Sequence, residues 1–195
     1  MICLMDDVRR DVILPNEEVR LLESNSKWKV AMFIREAKQS DMADLVNLLR
    51  DSFRDVAERF ELTEENCPRF LAFCTNKRIE SNLEKGVTYY ILEKDGRPCG
   101  CVALERAKPD VCYLMRLAVL PKHRGKGYGK MLVRHIFDRA RKTGTHRVEI
   151  AMISKDRKLK SWYKKLGFLQ KSTKKFDHLP FTVAFMYREL SREEE

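Results

Sequence analysis

The sequence predicts an α/β fold built on a mixed sheet, and three observations carry that expectation. First, β-rich runs alternate with tight turns. Val87 to Leu92 and Cys99 to Leu104 flank Lys94-Asp95-Gly96-Arg97, a hairpin signal, and Lys108-Pro109-Asp110 turns the chain again. Second, Val111 to Leu120 reads as the central strand. Its Leu114, Met115, Leu117, Ala118, Val119 and Leu120 form a nearly unbroken apolar run, the pattern of a strand covered on both faces. Third, a glycine-rich loop, a helix and another strand follow it, an order that makes a right-handed crossover and a parallel pair.

The other elements follow in chain order. Residues 1–29 show no clear period and read as an extension that packs on the domain or stays loose, with Val12-Ile13-Leu14 before Pro15 its short apolar run. Trp28 to Ile34 reads as a first strand. Ser40 or Asp41 then caps a helix whose apolar stripe is Met42, Leu45, Val46, Leu48, Leu49, Phe53, Val56 and Phe60. Glu61 to Gly86 is irregular apart from a helix over Asn76 to Glu84. After the central strand, Tyr128, Met131, Leu132, His135, Ile136 and Ala140 share one helical face, and Gly144 ends that helix. His146 to Ile153 is the next strand. Asp156 caps a last helix striped with Leu159, Trp162, Tyr163 and Leu166, which Gly167 stops. Phe168 to Ser172 and Phe181 to Glu189 are the final strands. The domain spans residues 30–190, and residues 191–195 are a charged tail.

Composition bounds the function. A chain of 195 residues suits one domain that buries about 70% of its unfolded surface. No apolar run approaches the ~20 residues that cross a bilayer, and Asp6 and Asp7 break any leader pattern at the start. The six cysteines form no C-x-x-C pair. They read as buried reduced thiols, with Cys99 and Cys101 on one face of a strand, which suits the cytoplasm and no bound metal. The net charge of +10 is unevenly spread: from Lys122 to Lys175 eighteen Lys and Arg face three acidic residues. Such a half suits an anionic ligand or nucleic acid. No zinc-finger spacing, RNP string or helix-turn-helix pattern accompanies it, so nucleic acid is disfavoured.

The loop after the central strand carries the chemistry. Leu114 to Gly129 reads L-M-R-L-A-V-L-P-K-H-R-G-K-G-Y-G. It aims backbone N–H groups at the positive end of a helix, a place for a phosphate or pyrophosphate. Gly125, Gly127 and Gly129 let the main chain bend and an anion approach. The string is not a Walker loop, and G-x-G-x-x-G fails in both registers. A glycine-rich turn without ligand is the bland alternative. Arg124-x-x-Gly127-x-Gly129 resembles the acyl-CoA pyrophosphate loop of the GNAT N-acetyltransferases, R/Q-x-x-G-x-G/A. Tyr163-Lys164-Lys165-Leu166-Gly167-Phe168 resembles part of their L-Y-x-x-x-G-F signature. The resemblance runs from about Ala31 to Leu190.

That resemblance implies a mixed, mostly antiparallel sheet with a splayed central parallel pair and flanking helices. It implies acetyl-CoA as co-substrate and direct acetyl transfer to a primary amine. Arg124, Gly125, Lys126, Gly127, Tyr128 and Gly129 would hold the pyrophosphate, and the backbone of Leu117, Ala118 and Val119 would pair with the pantetheine amides. Tyr163 would act as general acid, because a departing thiolate needs a proton. The family's usual asparagine seven residues earlier is Asp156 here, which cannot donate a hydrogen bond when ionised. Many members place a glutamate near the position of Tyr113; this chain has none there. Glu105, Glu149 and His178 are the candidates for a base or an acceptor contact, and a water relay stands beside them. The acceptor is a small-molecule amine or a protein or peptide amine, and a homodimer is open. The rivals are a basic nucleic-acid-binding protein and a GNAT-fold CoA sensor without turnover.

Overall fold

The computed structural model describes residues 19–22 and 31–190. Among the described residues eight strands form one sheet in the order β1-β2-β3-β4-β5-β6-β8-β7. The strands are β1 (Val19–Leu22), β2 (Ala31–Glu36), β3 (Thr88–Lys94), β4 (Arg97–Lys108), β5 (Val111–Val119), β6 (Arg147–Ile153), β7 (Leu169–Lys175) and β8 (Thr182–Glu189). The α-helices among the described residues are α1 (Met42–Arg59), α2 (Asn76–Glu84), α3 (Tyr128–Lys142) and α4 (Arg157–Lys165). Neighbours pair antiparallel except β5 and β6.

The patterning explains the layers. α1 and α2 cover one face of the sheet, where Leu45, Leu49, Phe53 and Ile79 meet Tyr89, Ile91, Ala103 and Met115. α3 and α4 cover the other, where Leu132, Val133, Ile136 and Tyr163 meet Leu114, Val148, Ile150 and Met186. Each Leu or Ile so buried contributes about 1.5–3 kcal/mol. The β3–β4 hairpin turns at Asp95 and Gly96, both at positive φ, as the Asp-Gly pair predicts. Gly144 and Gly167 leave their helices at positive φ, and helix α2 has the bounds read from the sequence.

Some expectations are sharpened and others change. The strand expected over Trp28 to Ile34 is β2, Ala31–Glu36, which runs two residues further, and residues 28–30 lie outside the described residues. Val19–Leu22, inside the extension expected to pack on the domain or stay loose, pairs antiparallel with β2. Asp41 does occupy the N-cap of α1 but makes no side-chain cap bond. Its carboxylate accepts instead from Arg35, at 2.6 and 2.8 Å, and from the Lys38 N–H. The Arg35 hydrogen bond holds the Asp41 carboxyl below its ordinary range. Last, Cys99 and Cys101 lie on opposite faces of the sheet. The register with β3 shifts between Leu92 and Glu93, and the extra residue reverses the alternation.

The central pair positions the site. β5 and β6 are in register for three residues only, Val111 to Tyr113 against Arg147 to Glu149. Beyond Tyr113 the strands part, and the splay predicted by resemblance is present. Arg116 marks the place. Its φ is +52°, the β4–β5 register slips between Cys101 and Ala103, and its side chain is 1% exposed. The guanidinium carbon sits 5.5 Å from the Tyr89 ring centroid.

Candidate active site

Chain order builds the site at the open end of β5. A short 3-10 turn, Pro121–His123, follows the strand, then the glycines, then α3. Gly125 and Gly127 have φ of 77° and 84°, and a Cβ on either would meet nothing within 4 Å. Their requirement is conformational. Gly127 is the N-cap of α3, and Met131 is the residue whose N–H returns to its carbonyl, at 3.1 Å. The N–H groups of the first helical turn before it have no intrahelical acceptor and are open to an anion. Gly129 differs. A Cβ there would lie 3.3 Å from the Trp162 ring, so this glycine admits α4 against α3.

The loop is exposed and positively charged. Lys122, Lys126 and Lys130 are all exposed. Burial, then Lys122, Lys126 and Lys94, push the His123 pKa down. Arg124 behaves differently from the lysines. Its Nε donates to the Val119 carbonyl at 3.1 Å, and its Nη2 to the Ser52 carbonyl at 2.6 Å. Nη1 and Nη2 both reach the Asp55 carboxylate, at 2.5 and 3.0 Å. That hydrogen bond holds the Asp55 carboxyl below its usual range.

Leu117, Ala118 and Val119 lie in the splayed half of β5. Ala118 and Val119 face Cys101 and Gly100 on β4, and β6 offers them no strand partner among the described residues. Tyr163 stands on α4, in the core cluster that this helix buries against the sheet. It is 2% exposed, with ring centroids 4.9 Å from Trp162 and 5.3 Å from Phe168. Burial pushes its phenol pKa up. Asp156 caps α4: Oδ1 accepts the Leu159 N–H at 3.0 Å, and Oδ2 accepts Arg59 from the end of α1 at 2.7 Å. Both carboxylate oxygens are therefore engaged.

The three base candidates divide. Glu105, Tyr113 and Glu149 are cross-strand neighbours in one row on β4, β5 and β6. Burial, then Glu149 and Glu105, raise the Tyr113 pKa. Glu149 is buried and accepts Lys171 Nζ at 2.8 and 3.0 Å. Glu105 is half-buried. His178 is exposed in the β7–β8 loop, its ring 5.8 Å from Phe176, apart from that row. Sequence reasoning passed over Ser52, Asp55, Arg59 and Arg116. Arg116 had a signal, a lone charge inside an apolar strand. Asp55 and Arg59 looked like a solvated helix face.

The family model of the Acetyltransferase (GNAT) family matches residues 42–168. The chain belongs to that family. An amino-acid acetyltransferase of Neisseria meningitidis serogroup A is 29% identical over 160 residues, which are 82% of this chain and 31% of the relative. The chain thus spans about a third of that relative's length. The crystal structure of an N-acetylglutamate synthase from Neisseria gonorrhoeae, complexed with coenzyme A and N-acetyl-glutamate, superposes with a TM-score of 0.61 at 26% identity. The match covers 83% of this chain and 35% of that one. The ribosomal-protein-S18-alanine N-acetyltransferase of Escherichia coli reaches a TM-score of 0.66 at 16% identity, over 84% and 97% of the two chains. At that identity the likeness is one of fold. Among the described residues no helix is long and apolar enough to cross a membrane, and no group of His, Cys, Asp and Glu could hold a metal ion.

Proposed function

We propose that this protein is an N-acetyltransferase that moves an acetyl group from acetyl-CoA to a primary amine by direct attack. One observation carries the reading: β5 leaves β6 after three residues, beside a glycine-bent helix start whose first N–H groups are open. The Neisseria gonorrhoeae structure, solved with coenzyme A, supports acetyl-CoA as the co-substrate. In this reading the pyrophosphate lies on the backbone from Gly125 to Gly129. Lys122, Lys126 and Lys130 supply charge that Arg124, tied to α1, does not. The pantetheine arm runs along Leu117, Ala118 and Val119.

The amine nitrogen attacks the thioester carbonyl, a C–N bond forms and the C–S bond breaks. The Tyr163 hydroxyl gives its proton to the leaving sulfur and regains one from solvent. Burial raises the phenol pKa, so the hydroxyl is protonated at neutral pH but is a weaker acid than a free tyrosine, and a hydrogen bond to the departing sulfur is its main contribution. The surplus proton of the amine leaves through water or through Glu149, Glu105 or His178. Glu149 could accept it only by weakening its pair with Lys171. Among the described residues five cysteines are buried free thiols, which suits a cytoplasmic setting.

The relatives called amino-acid acetyltransferase make an amino-acid α-amine the first acceptor class to test, beside peptide N-termini and polyamines. Thiol release from acetyl-CoA should rise with a member of that panel. Calorimetry showing no affinity for CoA would overturn the proposal. CoA binding with no turnover across the panel would favour the sensor reading.

A further inference from the structure

The last turns of α1 carry a polar stripe, Ser52, Asp55 and Arg59, at spacings that place all three on one helical face. This stripe touches both walls of the splay. On one wall, Arg124 of the glycine loop is held by the Asp55 carboxylate and the Ser52 carbonyl. On the other, Arg59 holds Asp156, the cap of the helix that bears Tyr163. The Arg124 guanidinium has five N–H groups, and the contacts to Asp55, Ser52 and Val119 engage four of them. Little donor capacity remains for a phosphate.

We propose that Asp55 is a positioning residue for the acyl-CoA loop. It draws Arg124 away from the anion and ties the loop to α1, so that the backbone N–H groups are in place before the ligand arrives. The inference rests on the acyl-CoA reading of the loop. Its consequence runs against a direct-ligand role for Arg124. If Arg124 bound the pyrophosphate itself, freeing it from Asp55 would leave affinity unchanged or raise it. If Arg124 is a strap, freeing it loosens the loop and lowers affinity.

The experiment is a double-mutant cycle with Asp55→Ala, Arg124→Ala and the pair, read by calorimetry with CoA and by steady-state kinetics. Asp55 lies on the exposed side of α1, so Asp55→Ala should fold; Asp55→Asn, of the same shape, covers the case in which it does not. Asp55→Ala should weaken CoA roughly tenfold, the scale of one lost charge-assisted contact. The KM for acetyl-CoA should rise in step, with kcat at saturation within about threefold of wild type. The double variant should be no weaker than Arg124→Ala alone. Wild-type affinity in Asp55→Ala, or two losses that simply add, would overturn the inference. A wild-type protein that ignores CoA would instead sink the reading beneath it, and the wild-type titration alone reveals that.

Discussion

Gly127 offers the cleanest test of an anion at the head of α3. Its φ is +84°, and a Cβ there meets nothing within 4 Å, so a substitution costs backbone strain but no clash. That strain is about 1–2 kcal/mol for an ordinary residue and less for Asn or Asp, which tolerate the left-handed region best. Both also serve as N-caps. Gly127→Asn and Gly127→Asp therefore make a matched pair: same shape, same backbone demand, one charge apart. A unit charge about 5 Å from a phosphate charge, at an effective dielectric near 20, costs about 3 kcal/mol. The loop is exposed, so a third to a half of that is the realistic share, or about 1–1.5 kcal/mol. The Asp variant should bind CoA about tenfold more weakly than the Asn variant, and the gap should narrow as salt rises. Both should melt within about 5 °C of wild type. Calorimetry at two salt concentrations and a thermal melt suffice. Equal affinities for the two variants at low salt would refute an anion at this helix start.

Three further outcomes are expected. Tyr163→Phe keeps the ring between Trp162 and Phe168 and removes the hydroxyl; kcat should fall by ~10²–10⁴ with little change in CoA affinity, and normal turnover would return the acid role to water. Gly100→Ala should cost about 1–3 kcal/mol in denaturant unfolding, because the new Cβ would lie 2.9 Å from the Ala118 carbonyl and force β4 from β5; an unchanged midpoint would show that the strands yield freely. His135, pushed down to about 4 chiefly by burial, then by Arg139 and Lys142, is protonated in the unfolded chain before the folded one. Its contribution is therefore full above pH ~6.5 and is lost as pH falls toward 4, on the order of 3 kcal/mol at most. Melts of wild type and His135→Gln across that window should diverge, and parallel curves would contradict the burial of a neutral imidazole.

Periodicity made most of the fold legible. The stripe of α1, the hairpin at Asp95-Gly96 and the crossover through α3 each follow from local spacing that tertiary packing then satisfies. The misses have a different origin. The β1 strand is short, and its pairing with β2 depends on a distant partner that no local pattern announces. The bulge at Cys99 moved one thiol to the other face, and register shifts leave no compositional trace. Asp41 carries a cap residue's identity, yet Arg35 competes for its carboxylate with two short bonds. In the site, the glycine string pointed to the loop, but only coordinates separate conformational Gly125 and Gly127 from Gly129, which makes room for a tryptophan. The partnership of Arg124 with Asp55, 69 residues apart, is a product of tertiary structure alone.

The brevity of the β5–β6 register has a consequence for how the molecule opens. One block runs from β1 to β5 and the other holds β6, β8 and β7; between them the sheet is continuous for only three residue pairs. Each block has its own long antiparallel ladders, and the two are joined mainly by the helices whose apolar faces pack across both. Amide hydrogen exchange should resolve this as two protection levels, with the seam at Tyr113 and Glu149 yielding before either ladder. Cold, mild denaturant or a pulling force across the seam would then part the blocks along the line that the paired strands already leave half undone.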